Sequence, residues 1–309
     1  MTKTKTSFIS PGESNDLARE CGKWNDTDDD LMHYPWAVSI TIDGKNKLGG
    51  SLISPYHVLT VAHGFLTFHS YTTRCSNIDY RKPEEIRSRT VMYGGKCIRG
   101  RHRYLPNHPK CPESDVQHNT IRSVMFDGVF ADGLCREGHD WAIIELENRV
   151  EFSERVRPIC LPMQNTKLQN LLTVAGWGRN YVFRESGPLL RETHMLYTPH
   201  CPRPWSDLMP AKLPDLICAT SLNRTDFFAE RTCHGDSGSG MQQIDGRGRA
   251  RLVGITSFGT SGCPANELAR FTRVESYLVE ICEYTGICYW NGADFPRPIS
   301  MTEFIRRRL

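Results

Sequence analysis

From Pro35 onward the chain is divided into short apolar runs rich in β-branched residues, and this punctuation limits what it can fold into. The runs are 37–42, 50–53, 58–62, 141–146, 171–176 and 251–258, each bounded by Gly, Pro or Asn. Strands this short and this numerous predict an all-β sandwich or barrel. One helix is also predicted: Val274, Tyr277, Leu278 and Ile281 share a helical face, and Gly286 ends it. At 309 residues there is room for one large or two modest domains.

Outside these runs the texture changes. Residues 1–33 are polar, with acids at Asp26 and Asp28-Asp29-Asp30, and read as an extended lead-in. Residues 65–139 show few strand patterns and read as a long insertion. Residues 287–309 form a tail with Pro296 and Pro298, in which Arg306-Arg307-Arg308 is expected to be a frayed, solvated end. The net charge is only +3, and no basic stripe interleaves with aromatics, so nucleic acid is not an expected partner. No stretch has the roughly 20 apolar residues of a membrane span, so no membrane partner is expected either. Twelve cysteines predict an oxidising compartment. Met1–Pro11 has no leader-like apolar core, but the cysteines outweigh this, and the expected location is extracellular.

Three segments carry chemistry. In Gly235-Asp236-Ser237-Gly238 a serine sits between glycines, a turn that projects its hydroxyl and aims backbone N–H groups at a developing oxyanion. Leu59-Thr60-Val61-Ala62-His63 places a histidine at the end of an apolar strand. His139-Asp140-Trp141-Ala142-Ile143-Ile144 sets an acid at the start of a core-like run, where a buried carboxylate needs a partner. A serine needs a base within reach, and that base needs a carboxylate to fix its tautomer.

In this order, and with Pro35-Trp36-Ala37-Val38-Ser39, Gly49-Gly50-Ser51-Leu52-Ile53, Pro158-Ile159-Cys160-Leu161-Pro162, Gly176-Trp177-Gly178 and Ser257-Phe258-Gly259, the chain resembles the chymotrypsin/trypsin-like serine proteases from about Pro35 to Ile281. The cysteine-bearing segment resembles their divergent nematode branch. The resemblance implies two six-stranded antiparallel β-barrels with a C-terminal α-helix, and a peptidase domain over residues 34–286. It implies Ser237 as nucleophile, His63 as base then acid, and Asp140 as orienting carboxylate. The oxyanion hole would be the N–H groups of Gly235 and Ser237. Ser257 would support the aspartate, and Gly259 would pair with substrate backbone. It also implies three disulfides: Cys21–Cys160, Cys201–Cys218 and Cys233–Cys263. The expected partners are a protein or peptide substrate and an activating protease, the chain acting as a monomer without cofactor or metal.

Several positions depart from the family pattern. Gly64 and Leu48 stand where a disulfide beside the histidine would be, and Leu172 and Gln243 where another would be. Cys282 and Cys288 can pair locally, while Cys75, Cys97, Cys111 and Cys135 allow three pairings. Disulfides are expected there over a zinc site of Cys97, His102, His108 and Cys111. At the position that the resemblance makes the base of the specificity pocket stands Arg231, which argues against simple Lys/Arg specificity. It predicts either a preference for acidic side chains or a blocked pocket in which Arg231 pairs with Glu267, Glu230 or Asp226. In a zymogen of this family a freed ammonium pairs with the aspartate before the nucleophile, here Asp236, and the corresponding bond follows Lys23. The new start would be Trp24-Asn25-Asp26, with a glycosylation sequon at Asn25; a second sequon begins at Asn223. Arg231, Ser239-Gly240 and the activation segment favour one rival reading, a non-catalytic protease-like binding protein. A metal-binding secreted module is the other.

Overall fold

The computed structural model describes residues 7–24, 34–69, 78–98, 111, 113–132, 137–179, 187–201, 215–260, 262–288 and 304–308. The first part of the chain supplies β1 (Ala37–Ile42), β2 (Lys45–Leu52), β3 (His57–Thr60), a small hairpin of β4 (Leu66–Phe68) and β5 (Ile78–Tyr80), then β6 (Thr90–Tyr93), β7 (Gln117–Asp127) and β8 (Ala142–Leu146). Strand β7 closes a six-stranded antiparallel ring, pairing with β6 through residues 117–120 and with β8 through residues 121–126. The second part supplies β9 (Leu171–Gly176), β10 (Arg191–Thr198), β11 (Leu216–Ser221), β12 (Gly240–Ile244), β13 (Ala250–Gly259) and β14 (Ala269–Arg273), closed in the order β10-β11-β14-β13-β12-β9. Closure leaves each ring without free edges and buries one face of every strand. The second interior holds Leu172, Val174, Met195, Ile217, Met241, Val253 and Phe271, each contributing about 1.5–3 kcal/mol by burial.

The predicted C-terminal helix is present. A 3₁₀ turn at Val274–Tyr277 runs into an α-helix at Leu278–Thr285, and Gly286, at φ 78°, caps it in the left-handed conformation. Val274, Tyr277, Leu278 and Ile281 are all buried.

Three expectations need correction. The lead-in is not simply extended, because Pro11–Glu20 is an α-helix, α1. Its start is a capping box, with Ser10 and Glu13 bonding each other's backbone N–H groups. The helix docks on the far end of the chain: Ile9 N–H donates to Thr285 O, and Cys288 N–H to Ser14 Oγ. Residues 65–139 are not mere decoration, since they contain β6 and β7 of the first barrel. The alternation in β7 is masked because its buried polar groups are satisfied by residues of other segments: Asn119 Nδ2 donates to Asn148 O and Ser123 Oγ to Glu145. The tail is not a frayed end, because Phe304–Arg308 forms β15, whose backbone pairs with β7 from Asp127 back to Ser123.

Candidate active site

The site lies where the barrels meet, and each side chain arrives by a different local device. β3 delivers His63 in a 3₁₀ turn at His63–Phe65, just past the strand end. Asp140 is presented by a sharp bend ahead of β8, with Gly138 and His139 both at positive φ (83° and 63°). That bend is pinned. His139 Nδ1 pairs with the buried Asp127 at 2.5 Å, and the His139 N–H donates to Asp215 Oδ2 at 2.9 Å. Burial is the largest single influence and opposes charge on His139, but the bond to Asp127 together with the charges of Asp127, Asp215 and Glu280 outweighs it and raises its pKa. Tyr277 Oη donates to the same Asp215.

The histidine and the acid are tightly joined. His63 Nδ1 lies 2.7 Å from Asp140 Oδ2, and the His63 N–H donates to Oδ1 at 2.8 Å. Asp140 is 1% exposed. From the second barrel Ser257 Oγ donates to Asp140 Oδ2 at 2.5 Å, and Thr272 Oγ1 to the Asp140 carbonyl at 2.8 Å. A carboxylate oxygen only accepts, so Nδ1 carries a proton, and in the neutral tautomer this leaves Nε2 as the acceptor.

The serine turn is held from both barrels. Gly49 N–H in β2 donates to Ser237 O at 2.7 Å, and Asn46 Nδ2 to Gly235 O at 2.8 Å. Gly235 and Gly238 have φ of 94° and 86°. A side chain at Gly238 would collide with Thr60 Oγ1 and Gly49 O, so glycine is required there. Among the described residues, no acceptor takes the N–H of Gly235 or Ser237. Asp236, fully buried, accepts from Gly178 N–H at 2.9 Å, Cys233 N–H at 3.1 Å and Arg191 Nη2 at 3.2 Å. Burial pushes its pKa up, against the pull of Arg191 and the two N–H groups.

The chain that builds these two closed barrels matches the family model described as Trypsin over residues 25–281. The chain belongs to the trypsin family. Relatives include a protein named CLIP domain-containing serine protease B8 from Anopheles gambiae, 27% identical over 83% of this chain and 64% of the relative. The chain thus spans under two thirds of that relative's length. A venom protease from Bombus pensylvanicus is 28% identical over 80% of this chain and 93% of its own length.

Arg231, expected at the base of the specificity pocket, is 1% exposed. Its acceptors are backbone carbonyls, Nη1 donating to Pro264 O at 2.7 Å and Glu267 O at 3.2 Å, and Nε to Thr232 O at 3.2 Å. Nη2 points at Gly259, 2.8 Å from where a Cβ there would stand. Burial lowers the guanidinium pKa to about 10, against the nearby charge of Glu267. The pairing with acidic side chains is therefore replaced by pairing with carbonyls, one of them Glu267's own.

The structure bonds Cys21 to Cys160, Cys201 to Cys218, Cys233 to Cys263, Cys97 to Cys111 and Cys282 to Cys288. Bonded sulfurs offer no thiolate, which removes Cys97 and Cys111 from a zinc set; His102, His108, Cys75 and Cys135 lie outside the described residues. Leu48 fills the space beside Gly64 that a disulfide would take, since a Cβ at Gly64 would collide with Leu48. Asn223 is exposed, its Oδ1 accepting from Thr225 and Asp226 N–H; Asn25 lies outside the described residues. Lys23 is paired with Glu20 at 3.0 Å, away from Asp236's partners.

Sequence reasoning missed Asn46, Thr272 and Arg191. Each lies far along the chain from the group it holds, within a strand, and no local motif marks it. Gly176-Trp177-Gly178 was a partial signal, because a side chain at either glycine would collide with the Asp236 carboxylate.

Proposed function

We propose that this trypsin-family chain is a serine endopeptidase. The observation that carries the reading is the buried Asp140 carboxylate, which orients His63 at 2.7 Å and is itself held across the barrel junction by Ser257 at 2.5 Å. With Nδ1 protonated, Nε2 of His63 takes the Ser237 Oγ proton as that oxygen attacks the scissile carbonyl. The N–H groups of Gly235 and Ser237 stabilise the oxyanion, a donor worth about 10²–10³ in turnover. His63 then returns the proton to the leaving amine, the acyl-enzyme forms, and water completes hydrolysis by the same relay.

Arg231 sets specificity away from Lys and Arg, since a buried guanidinium repels a second cation. Its own acceptors are neutral carbonyls, and beyond the nearby charge of Glu267 its guanidinium favours an acidic side chain before the scissile bond. The cysteine pairings fit an exported protein acting on extracellular proteins or peptides, with Asn223 as its glycan acceptor.

The test is fluorophosphonate labelling of purified protein, intact and after trypsin treatment, beside a Ser237→Ala control. Ser237-dependent labelling is expected. Its absence in both forms would instead establish a non-catalytic binding protein. A peptide-library profile reads the pocket, and cleavage mainly after Lys or Arg would overturn the role given to Arg231.

A further inference from the structure

We infer that Arg191 supplies, from within the intact chain, the cation that orders the oxyanion-binding turn, so that cleavage after Lys23 is not needed to switch the site on. This rests on the serine-protease reading above. A zymogen of the expected kind requires Asp236 to lack its cation until a new N-terminus is freed. Here the carboxylate already has one, in a chain whose Lys23–Trp24 bond is unbroken.

The pairing is built in rather than incidental. Arg191 opens β10, in register with Gly176 of β9, so its backbone is fixed in the barrel wall. Its side chain is 18% exposed and clamped at three points: Nε to Gly178 O at 2.9 Å, Nη1 to Thr193 Oγ1 at 3.3 Å and Nη2 to Asp236 Oδ2 at 3.2 Å. Gly176 and Gly178 let the backbone approach close enough for the Gly178 N–H to reach Asp236. The Cys233 N–H completes the cradle, and Cys233 is bonded to Cys263. On the opposite side Asn46, held by Ser39 Oγ at 2.7 Å, fixes the Gly235 carbonyl. The turn from Cys233 to Ser237 is thus tied on both flanks before any bond is cut.

The lead-in is equally committed to another place. Gly22 is laced to Pro158 and Ala250 by two backbone hydrogen bonds, and Trp24 stacks edge-on against Trp36 at 6.3 Å. An ammonium entering beside Asp236 would have to leave that packing and share a carboxylate with a guanidinium, and the like charges would repel. Arg191 is therefore a positioning residue, acting on catalysis through Asp236.

The experiment uses the full chain carrying Lys23→Gln, shown uncleaved by N-terminal sequencing. Its Ser237 is expected to react with a fluorophosphonate within about threefold of trypsin-treated wild type, because the donors stay ordered. In that background Arg191→Ala should lower kcat by about 10²–10³ with a smaller change in KM. Arg191→Lys, or methylguanidinium added to Arg191→Ala, should restore much of it. Labelling of wild type only after trypsin would overturn the inference and leave the protease reading intact. Labelling in neither form would overturn both. Full activity in Arg191→Ala would overturn the inference as well. If that variant does not fold, the Lys23→Gln chain and Arg191→Lys still decide the matter.

Discussion

Two buried aspartates flank the serine turn, and they are held in opposite ways. The Asp140 carboxylate is held by an imidazole and a hydroxyl, His63 on one side and Ser257 on the other. Asp236 is held by a permanent cation, Arg191, and two backbone N–H groups. The first arrangement leaves a proton free to move, because imidazole can gain and lose one near neutral pH. The second does not, because guanidinium stays protonated. Under the proposed mechanism, similar burial would serve a relay in one place and a fixed scaffold in the other.

The comparison breaks most decisively at Asp140. Asp140→Asn keeps the shape but offers His63 an amide donor in place of an acceptor, so the wrong tautomer forms. A fall in kcat of about 10⁴ is expected in steady-state hydrolysis, with the melting temperature little changed. A fall below tenfold would mean His63 does not depend on this carboxylate.

Asp236→Asn tests the scaffold. It strands Arg191 beside a neutral amide and loosens the turn, so kcat should drop by about 10²–10³ and thermal stability should fall with it. Loss of stability alone, with kcat per folded molecule unchanged, would show that Asp236 is structural only.

Ser257→Ala removes one charge-assisted bond to Asp140 while leaving His63 in place. Such a bond is worth about 1.5–3 kcal/mol, and a loss in kcat/KM of about tenfold or somewhat more should follow. No change would assign Asp140's orientation to His63 and the Thr272 contact instead.

The smallest effect is on acid stability, and it separates site chemistry from unfolding. His57 is buried against Ser54 Oγ at 2.7 Å, and burial pushes its pKa down to about 4, against the charge of Glu145. Between about 6.5 and 4 the unfolded chain binds a proton that the native state refuses. Stability therefore rises with pH through that window and is lost as pH falls. In His57→Gln, melting temperature against pH should flatten across the window; an unchanged slope would place the acid sensitivity elsewhere.

Much of this was legible in residue order. The runs at 37–42 and 171–176 became β1 and β9 unchanged, and the face shared by Val274, Tyr277, Leu278 and Ile281 became the C-terminal helix. Helix α1 was also within reach, since Ser10 and Glu13 have the spacing of a capping box; with Leu17 as its main buried apolar residue, periodicity gave no warning. Strand β7 was hidden for a different reason. Its buried Asn119 and Ser123 look like surface residues until their partners at Asn148 and Glu145 are known.

By itself the sequence showed a sandwich or barrel of short strands, a serine between glycines and an arginine at 231, because short β-branched runs, a Gly-Asp-Ser-Gly turn and a permanent cation carry their physics locally. What answers each buried charge was decided only by the tertiary structure. Arg191 is 45 residues from Asp236, and Asn46 is 189 from Gly235. Buried charges and carbonyls must be paired, but pairing obeys distance in space, and closure of the second barrel and its docking on the first bring those residues within 3.2 Å and 2.8 Å.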